Sequence, residues 1–385
     1  MIPRFKPDLG WEEICTLLRR NLGAVERFEK EFAKAFQAVD AVAFPYGRSA
    51  QWAFFKAMGV ENAEIIMPAY TCSVVAHAVT LSGNIPKFID ITLDNYNMNL
   101  DSAEAAINEK TRAIIATHTF GYPQDLDRLE TMVRQAEASY GHKIWLMQDC
   151  CHAFGAEWKG RMVGLSGDVA VYAFNISKII TSIFGGMLTF QDRELAKKVR
   201  KWRDQNFKTP TIGKSLSRRL YLVLVWIFFT ESLYTIVWWL LNYTLILENI
   251  SKQYHLDNKI HFPPDYLNKM LDVEAAVGLV QLKKYPRIVK QRRDFAKKYL
   301  NSLCKEKDWV FPPILPGATY SHFVVRVPNK KKVIKKFASL GIELGELIQY
   351  SIPELSAYKN NASSCPNAAY ASQSLVNFTL CSNYG

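Results

Sequence analysis

Three groups in this 385-residue chain have the residue types and positions for chemistry. In "FNISKIITSIFGGML", Phe174 to Leu188, a single lysine, Lys178, sits in an apolar stretch. A lysine so placed can pack its stem on apolar neighbours and send its head to water. In a cleft, desolvation can instead leave a neutral amine able to attack a carbonyl. Asp149 closes the apolar run "IWLMQD", where a carboxylate either caps the next helix or faces a ligand. In "YGRSAQWAFF", Gly47 to Ala50 form a tight loop opening a helix. Its backbone N–H groups and dipole suit a phosphate, with Arg48 and Ser49 as added donors.

The elements that must position these groups are legible as alternating patterns. The apolar runs "AVAF", "AEIIMP", "PKFIDI", "RAIIATH", "KIWLMQD", "VAVYAF" and "GMLTF" read as strands. Helical patterns such as "SVVAHAVTLS", "DSAEAAINE" and "DLDRLETMVRQAEASYG" lie between several of them. Strands alternating with helices predict an α/β fold with a mostly parallel sheet between helices. Ligands of such sheets bind beyond the carboxyl ends of the strands, which is where Asp149 and Lys178 fall. A phosphate loop, a strand-end acid and a strand-end lysine together match the needs of pyridoxal 5'-phosphate. The helix start takes the phosphate, the acid pairs with the pyridinium nitrogen, and the lysine forms the Schiff base.

The stretches "GRSA", "EIIMPAYTCSVVAHAV", "PKFIDI", "THTFGYPQDLDRL", "QDCCHAFGAEWKGRMVGLSGDVAVYAFNISK", "GGMLTF" and "DVEAAVGLVQL" occur in this order. On them the chain resembles the DegT/StrS family of pyridoxal-phosphate sugar aminotransferases, which have the aspartate-aminotransferase (type I) fold. The resemblance implies Lys178 as the cofactor-bound lysine and proton shuttle, and Asp149 as the partner of the ring nitrogen. Gly47, Arg48 and Ser49 match the phosphate loop. His152 falls where the family has a polar residue near the cofactor's hydroxyl; a hydrogen-bonded structural histidine is the other reading. Ala173 stands where the family often has a Ser or Thr phosphate ligand, so Asn175 or Ser177 is expected to substitute. Cys72 stands where an aromatic often stacks on the ring, leaving Tyr70 for that role or the face covered differently. The family's "N-x-R-M" segment, which reaches a neighbouring subunit's site, appears as "LNKM", with Leu267 at the Asn position and Asn268 one residue off.

Relatives with a dehydratase mechanism replace the lysine by histidine, so the resemblance implies transamination. An amino acid, glutamate or a similar donor, gives its amine to a keto-sugar or related carbonyl in two half-reactions. A catalytically silent regulatory or scaffold relative, and a cofactor-dependent dehydratase or isomerase, are the alternatives. A homodimer with shared sites is implied.

The composition is globular, and the net charge of +12 calls for an anionic partner. Its basic residues are dispersed, and "KKKVIKK" reads as a solvated helix face, so nucleic-acid binding is not expected. Seven cysteines, at 15, 72, 150, 151, 304, 365 and 381, include no C-x-x-C pair. Neither a disulfide framework nor a metal site is expected, and a reducing cytosolic setting fits. The N-terminal segment lacks the apolar core of a secretory signal.

Three segments follow: a large cofactor-binding domain over 1–210, an apolar insertion over 211–262, and a linking helix with a small C-terminal α+β domain over 263–385. A long amphipathic helix is expected to break near Pro286. The insertion carries apolar runs from Leu220 to Phe229 and Leu233 to Leu247. The first is too short to span a bilayer, which takes about 20 residues. A hairpin lying in one leaflet fits, peripheral or monotopic, on the cytoplasmic side of a membrane. Lys214, Arg218 and Arg219 are then expected near anionic headgroups, with a lipid-linked substrate. A buried dimerisation hairpin is the alternative.

Overall fold

Each strand of the central sheet is a largely apolar run bounded by turn residues, and all but the edge strand at Ile85–Ile89 are buried on both faces. The computed structural model describes residues 1–243, 259–303, 306–359 and 363–380. Its larger sheet comprises β1 (Asp40–Phe44), β2 (Glu64–Pro68), β3 (Ile85–Ile89), β4 (Thr111–Thr117), β5 (Trp145–Asp149), β8 (Val169–Ala173) and β9 (Gly186–Phe190). A short hairpin, β6 (Glu157–Trp158) with β7 (Arg161–Met162), precedes β8. The order across the sheet is β1-β9-β8-β5-β4-β2-β3. From β3 to β8 all pairs are parallel, and β9 runs antiparallel to both neighbours. The mostly parallel α/β layer read from the sequence is therefore the fold.

Helices α1 (Trp11–Leu18) and α2 (Ala24–Ala35) precede the sheet, and α3 (Gly47–Met58), α4 (Ser73–Leu81), α5 (Leu100–Ala106) and α6 (Leu126–Tyr140) are crossovers. Side-chain caps fix the starts of α5 and α6: Asn99 accepts from the Ser102 N–H and Asp125 from the Arg128 N–H. After the sheet come α7 (Arg193–Asn206), α8 (Ile212–Phe228) and α9 (Glu231–Tyr243). Then α10 (Asp272–Leu303) leads into the C-terminal unit of β10 (Phe323–Arg326), α11 (Lys330–Ser339), α12 (Pro366–Ser374) and β11 (Leu375–Phe378). There β10 and β11 pair antiparallel, as expected of a small α+β body.

Three features depart from the sequence reading. Helix α10 runs through Pro286 without a break. The proline is exposed, so the carbonyl it leaves without an N–H partner can turn to water. The first residues belong with the C-terminal body, since Ile2 bridges Ile342. The third concerns α8, begun by Thr211, whose hydroxyl accepts from the Lys214 N–H. Lys214 and Arg218 face inward, not toward headgroups: both pair with Asp265 at 3.0 Å, and Arg218 Nε lies 3.1 Å from Glu274. At about 100° per residue they share a helix face with buried Leu222 and Val225. The opposite face carries Ile212, Leu216, Leu220 and Leu224, all exposed. The second apolar run extends past Tyr243, and Thr244 to Leu247 lie outside the described residues.

Candidate active site

Asp149 ends β5 in register with Thr117 of β4 and Val171 of β8. The parallel register thus sets the acid among neighbours at the sheet's carboxyl edge. Its carboxylate is buried and fixed from two sides. Thr117 Oγ1 donates to Oδ2 at 3.2 Å, and the Cys151 N–H donates to Oδ1 at 3.0 Å. Lys178 lies beyond the end of β8, in a turn closed by its N–H bonding to the Asn175 carbonyl at 3.0 Å.

Helix α3 starts beside them. Its cap, Tyr46, is extended and contributes no side-chain cap, and the Ala50 N–H is the first to bond back, to the Tyr46 carbonyl. The N–H groups of the preceding turn have no acceptor within the helix. Glycine is required where this helix begins: a Cβ on Gly47 would sit 2.8 Å from the Ala173 Cβ. One on Gly186 would sit 2.4 Å from the Tyr46 carbonyl. The two glycines let α3 open hard against β8 and β9.

Gly47, Arg48, Asp149, His152, Asn175 and Lys178 line one pocket. Val74, Val75, Val171 and Ala173 give it apolar walls, and Tyr46 and Phe184 also border it. The His152 ring stacks on Phe120 at 6.2 Å between centroids and meets His322 edge-on at 5.1 Å. Burial, then the Lys178 ammonium and His322, push its pKa well below the usual imidazole range. Its Nδ1 is buried with no protein partner, so a neutral ring faces the site with an unused polar atom.

Three residues named from the sequence, Ser49, Tyr70 and Ser177, are turned to other partners. Ser49 is buried and donates to the Tyr266 carbonyl at 2.9 Å, so its hydroxyl is not a phosphate donor here. Tyr70 is buried against Phe120 and points its hydroxyl at the Ile348 carbonyl, away from the pocket lining, so it stacks on no ligand there. Ser177 donates to Asn175 Oδ1 at 2.7 Å, and of the pair only Asn175 lines the pocket. Asn268 forms a backbone bridge with Lys208 and lies outside this chain's own pocket lining; the expectation for its segment concerns a neighbouring subunit's site. Conversely, Gln51, Thr71, Thr117 and Cys151 line the pocket without having been picked out. Thr117 was accessible to the strand-end rule; the others carried no local signal. His322 arrives from the C-terminal body, which no spacing foretold.

The donor set suits pyridoxal phosphate. The open turn of α3 and Arg48 can take the phosphate, Asp149 offers an anion to the ring nitrogen, and Lys178 supplies the amine. The unpartnered Nδ1 of His152 is available to the cofactor's hydroxyl. Among the described residues no His, Cys, Asp and Glu group could hold a metal ion.

A doubly covered parallel sheet with this lysine, acid and helix start around one pocket defines a pyridoxal-phosphate-dependent transferase. The chain belongs to the DegT/DnrJ/EryC1/StrS aminotransferase family, whose model matches residues 19–222 and 233–384. It is a pyridoxal-phosphate-dependent aminotransferase. The unmatched residues 223–232 fall at the junction of α8 and α9.

The GDP-perosamine synthase of Caulobacter vibrioides is 28% identical over 335 residues, 84% of this chain and 76% of the relative. The spore coat polysaccharide biosynthesis protein SpsC of Bacillus subtilis is 27% identical over 310 residues, 80% of this chain and 69% of the relative. Among solved structures, the aminotransferase TlmJ of Streptoalloteichus hindustanus superposes with a TM-score of 0.76 at 23% identity, covering 98% of this chain and 93% of that one. A GDP-4-keto-6-deoxymannose-3-dehydratase superposes with a TM-score of 0.75 at 18% identity, covering 98% and 95%. The structural likenesses speak for the fold, which hosts both chemistries.

Proposed function

We propose that this aminotransferase moves an amino group from an amino acid, glutamate, to a keto-sugar carried on a lipid. It acts as a homodimer at the cytoplasmic face of a membrane. The observation that carries the reaction is the meeting of Lys178, Asp149 and the start of α3 in one pocket. Pyridoxal phosphate, when bound, supplies a ring that withdraws electrons from the carbon losing its proton. Asp149, held by Thr117 and the Cys151 N–H, presents a fixed anion to the protonated ring nitrogen. Lys178 Nζ takes the proton from the donor's Cα and delivers one to the acceptor carbon. That relatives are named GDP-perosamine synthases supports a sugar acceptor.

Attachment to the membrane is supported by α8 and α9. No single helix among the described residues is long and apolar enough to cross a bilayer. The segments Ile212–Phe228 and Ser232–Leu240 are bent by 109° at their junction, so together they form no straight span. Ile212, Leu216 and Leu220 are 89%, 67% and 58% exposed, and Trp239 is 53% exposed. Trp11 of α1 meets Trp226 of α8 at 4.7 Å, and exposed Leu22 lies in one groove with Ile212. Arg20, Leu22, Ile212 and Arg219 line a common groove, setting cations beside apolar side chains as an anionic bilayer surface requires.

Two measurements test this reading. Cofactor-loaded protein mixed with L-glutamate should change from the aldehyde to the amine spectrum of the cofactor; no change with any amino acid would exclude amino transfer. Flotation with vesicles of equal phosphatidylglycerol and phosphatidylcholine should carry the protein up. A Leu216→Glu, Leu220→Glu, Leu224→Glu variant should stay below; if both float alike, the stripe is not the attachment.

A further inference from the structure

We propose that Arg218, on a helix outside the catalytic scaffold, is a positioning residue that sets the Tyr46–Phe184 wall of the pocket. This rests on the reading of that pocket as the catalytic one. The guanidinium touches four segments at once. Its carbon lies 4.0 Å from the centroid of the Phe184 ring. Nη2 donates to the Tyr46 hydroxyl at 2.7 Å and to Asp265 Oδ2 at 3.0 Å. Nε lies 3.1 Å from Glu274. Tyr46 also donates to both oxygens of Asp265, at 2.8 and 2.9 Å. Tyr46 directly precedes the helix start that takes the phosphate, and Phe184 lies on the turn between Lys178 and β9.

That turn is bonded within itself, with the Ser182 N–H to the Phe174 carbonyl and the Ile183 N–H to Thr181 Oγ1, both at 3.0 Å, yet its backbone is strained. Ile183 has φ of 72° and Gly185 φ of 148°. A β-branched residue in the left-handed region is strained and persists only where surrounding contacts impose it. Phe184, between these two, is clamped by Arg218 on one side and packs with Tyr221 of α8 at 5.3 Å. A planar guanidinium can stack on a ring and bond several oxygens together, which an ammonium cannot. Arg218 therefore links α8 to both wall residues, Tyr46 and Phe184, whereas Tyr221 meets Phe184.

The test uses Cys72, which is exposed and lines the same pocket. The labelling rate of Cys72 by a thiol-reactive disulfide, mapped by mass, is measured on the full chain with cofactor bound. Arg218→Met should raise it about tenfold, and Arg218→Lys should fall between. Cys15, exposed on α1, reports general loosening and should keep its rate. Because Arg218→Met strips the buried Glu274 of its ion-pair partner and could fail to fold, Arg218→Met with Glu274→Gln is measured beside it. Cys72 rates within twofold of wild type in the folded variant would overturn the proposal, as would equal rises at Cys15 and Cys72. If wild type takes up no cofactor, the functional reading fails separately, and the same comparison without cofactor still decides the role of Arg218.

Discussion

The contact between Gly47 and Ala173 turns the phosphate assignment into a number. Carbon atoms settle at about 3.5–4.0 Å, and a Cβ on residue 47 would stand 2.8 Å from the Ala173 Cβ. In Gly47→Ala the start of α3 must recede from β8 by roughly 0.7 Å, the smaller of those limits less the gap. A donor at about 2.9 Å from a phosphate oxygen would then lie near 3.6 Å, outside hydrogen-bond range. Each bond to a charged group contributes about 1.5–3 kcal/mol, so losing one weakens cofactor binding roughly 10- to 150-fold. Stability should fall by about 0–2 kcal/mol. Alanine gains up to about 1 kcal/mol of helix propensity over glycine, which offsets part of an overpacking cost of about 1–3 kcal/mol. The assay is an absorbance titration of cofactor-free protein with pyridoxal phosphate, beside thermal melts of the same cofactor-free samples. A variant that binds within threefold of wild type would refute the helix start as the phosphate cradle, whatever its melting point.

Other outcomes follow from the same geometry. Borohydride reduction should fix a phosphopyridoxyl group on Lys178 in wild type and none in Lys178→Ala, whose amino transfer should fall at least about 100-fold; labelling at another lysine would remove Lys178 from its role. Ser49→Ala should lose about 1 kcal/mol of stability with its bond to Tyr266 and bind the cofactor as wild type does. A tenfold loss of cofactor affinity there would restore Ser49 as a phosphate donor. Burial pushes His77 and His118 down to about 4 from an ordinary 6.5. The folded state therefore prefers neutral rings, so their stabilisation is complete above pH 6.5 and is lost as pH falls toward 4. Each would cost on the order of 3 kcal/mol at the acid end. Urea midpoints should fall from pH 7 to 4.5, less steeply in His118→Gln; a flat profile would contradict the burial argument.

The sheet was legible because strands buried on both faces must be continuous apolar runs, and all seven runs read as strands became the strands of the larger sheet. Asp149 and Lys178 were legible for a related reason: a parallel sheet presents strand ends at one edge. What the sequence left open was direction. Composition shows that α8 is basic and apolar, but only the register of the helix turns Lys214 and Arg218 inward with Leu222. Ser49 sits in a first helical turn, a place suited to anions, and Tyr266, distant in sequence, took its hydroxyl. Tyr70 stands near the pocket in the chain and is drawn to Phe120 and Ile348 instead. The break expected at Pro286 failed because the ring faces solvent, where the lost bond is replaced by water.

The position of β9 has a consequence for how the molecule is made. β1 pairs only with β9, Asp40 opposite Phe190 and Phe44 opposite Gly186. On the ribosome, Pro45 to Gly185 take roughly 7–30 s to emerge at about 5–20 residues per second. Through that interval the first strand of the nascent sheet has no partner, and the edge of β8, once made, stays bare until β9 follows. Unpaired edges invite association between chains, so crowded synthesis exposes this polypeptide to misassembly until β9 inserts. Cofactor capture must also wait for that insertion, because the seat around Gly47 is closed only when Gly186 reaches Tyr46.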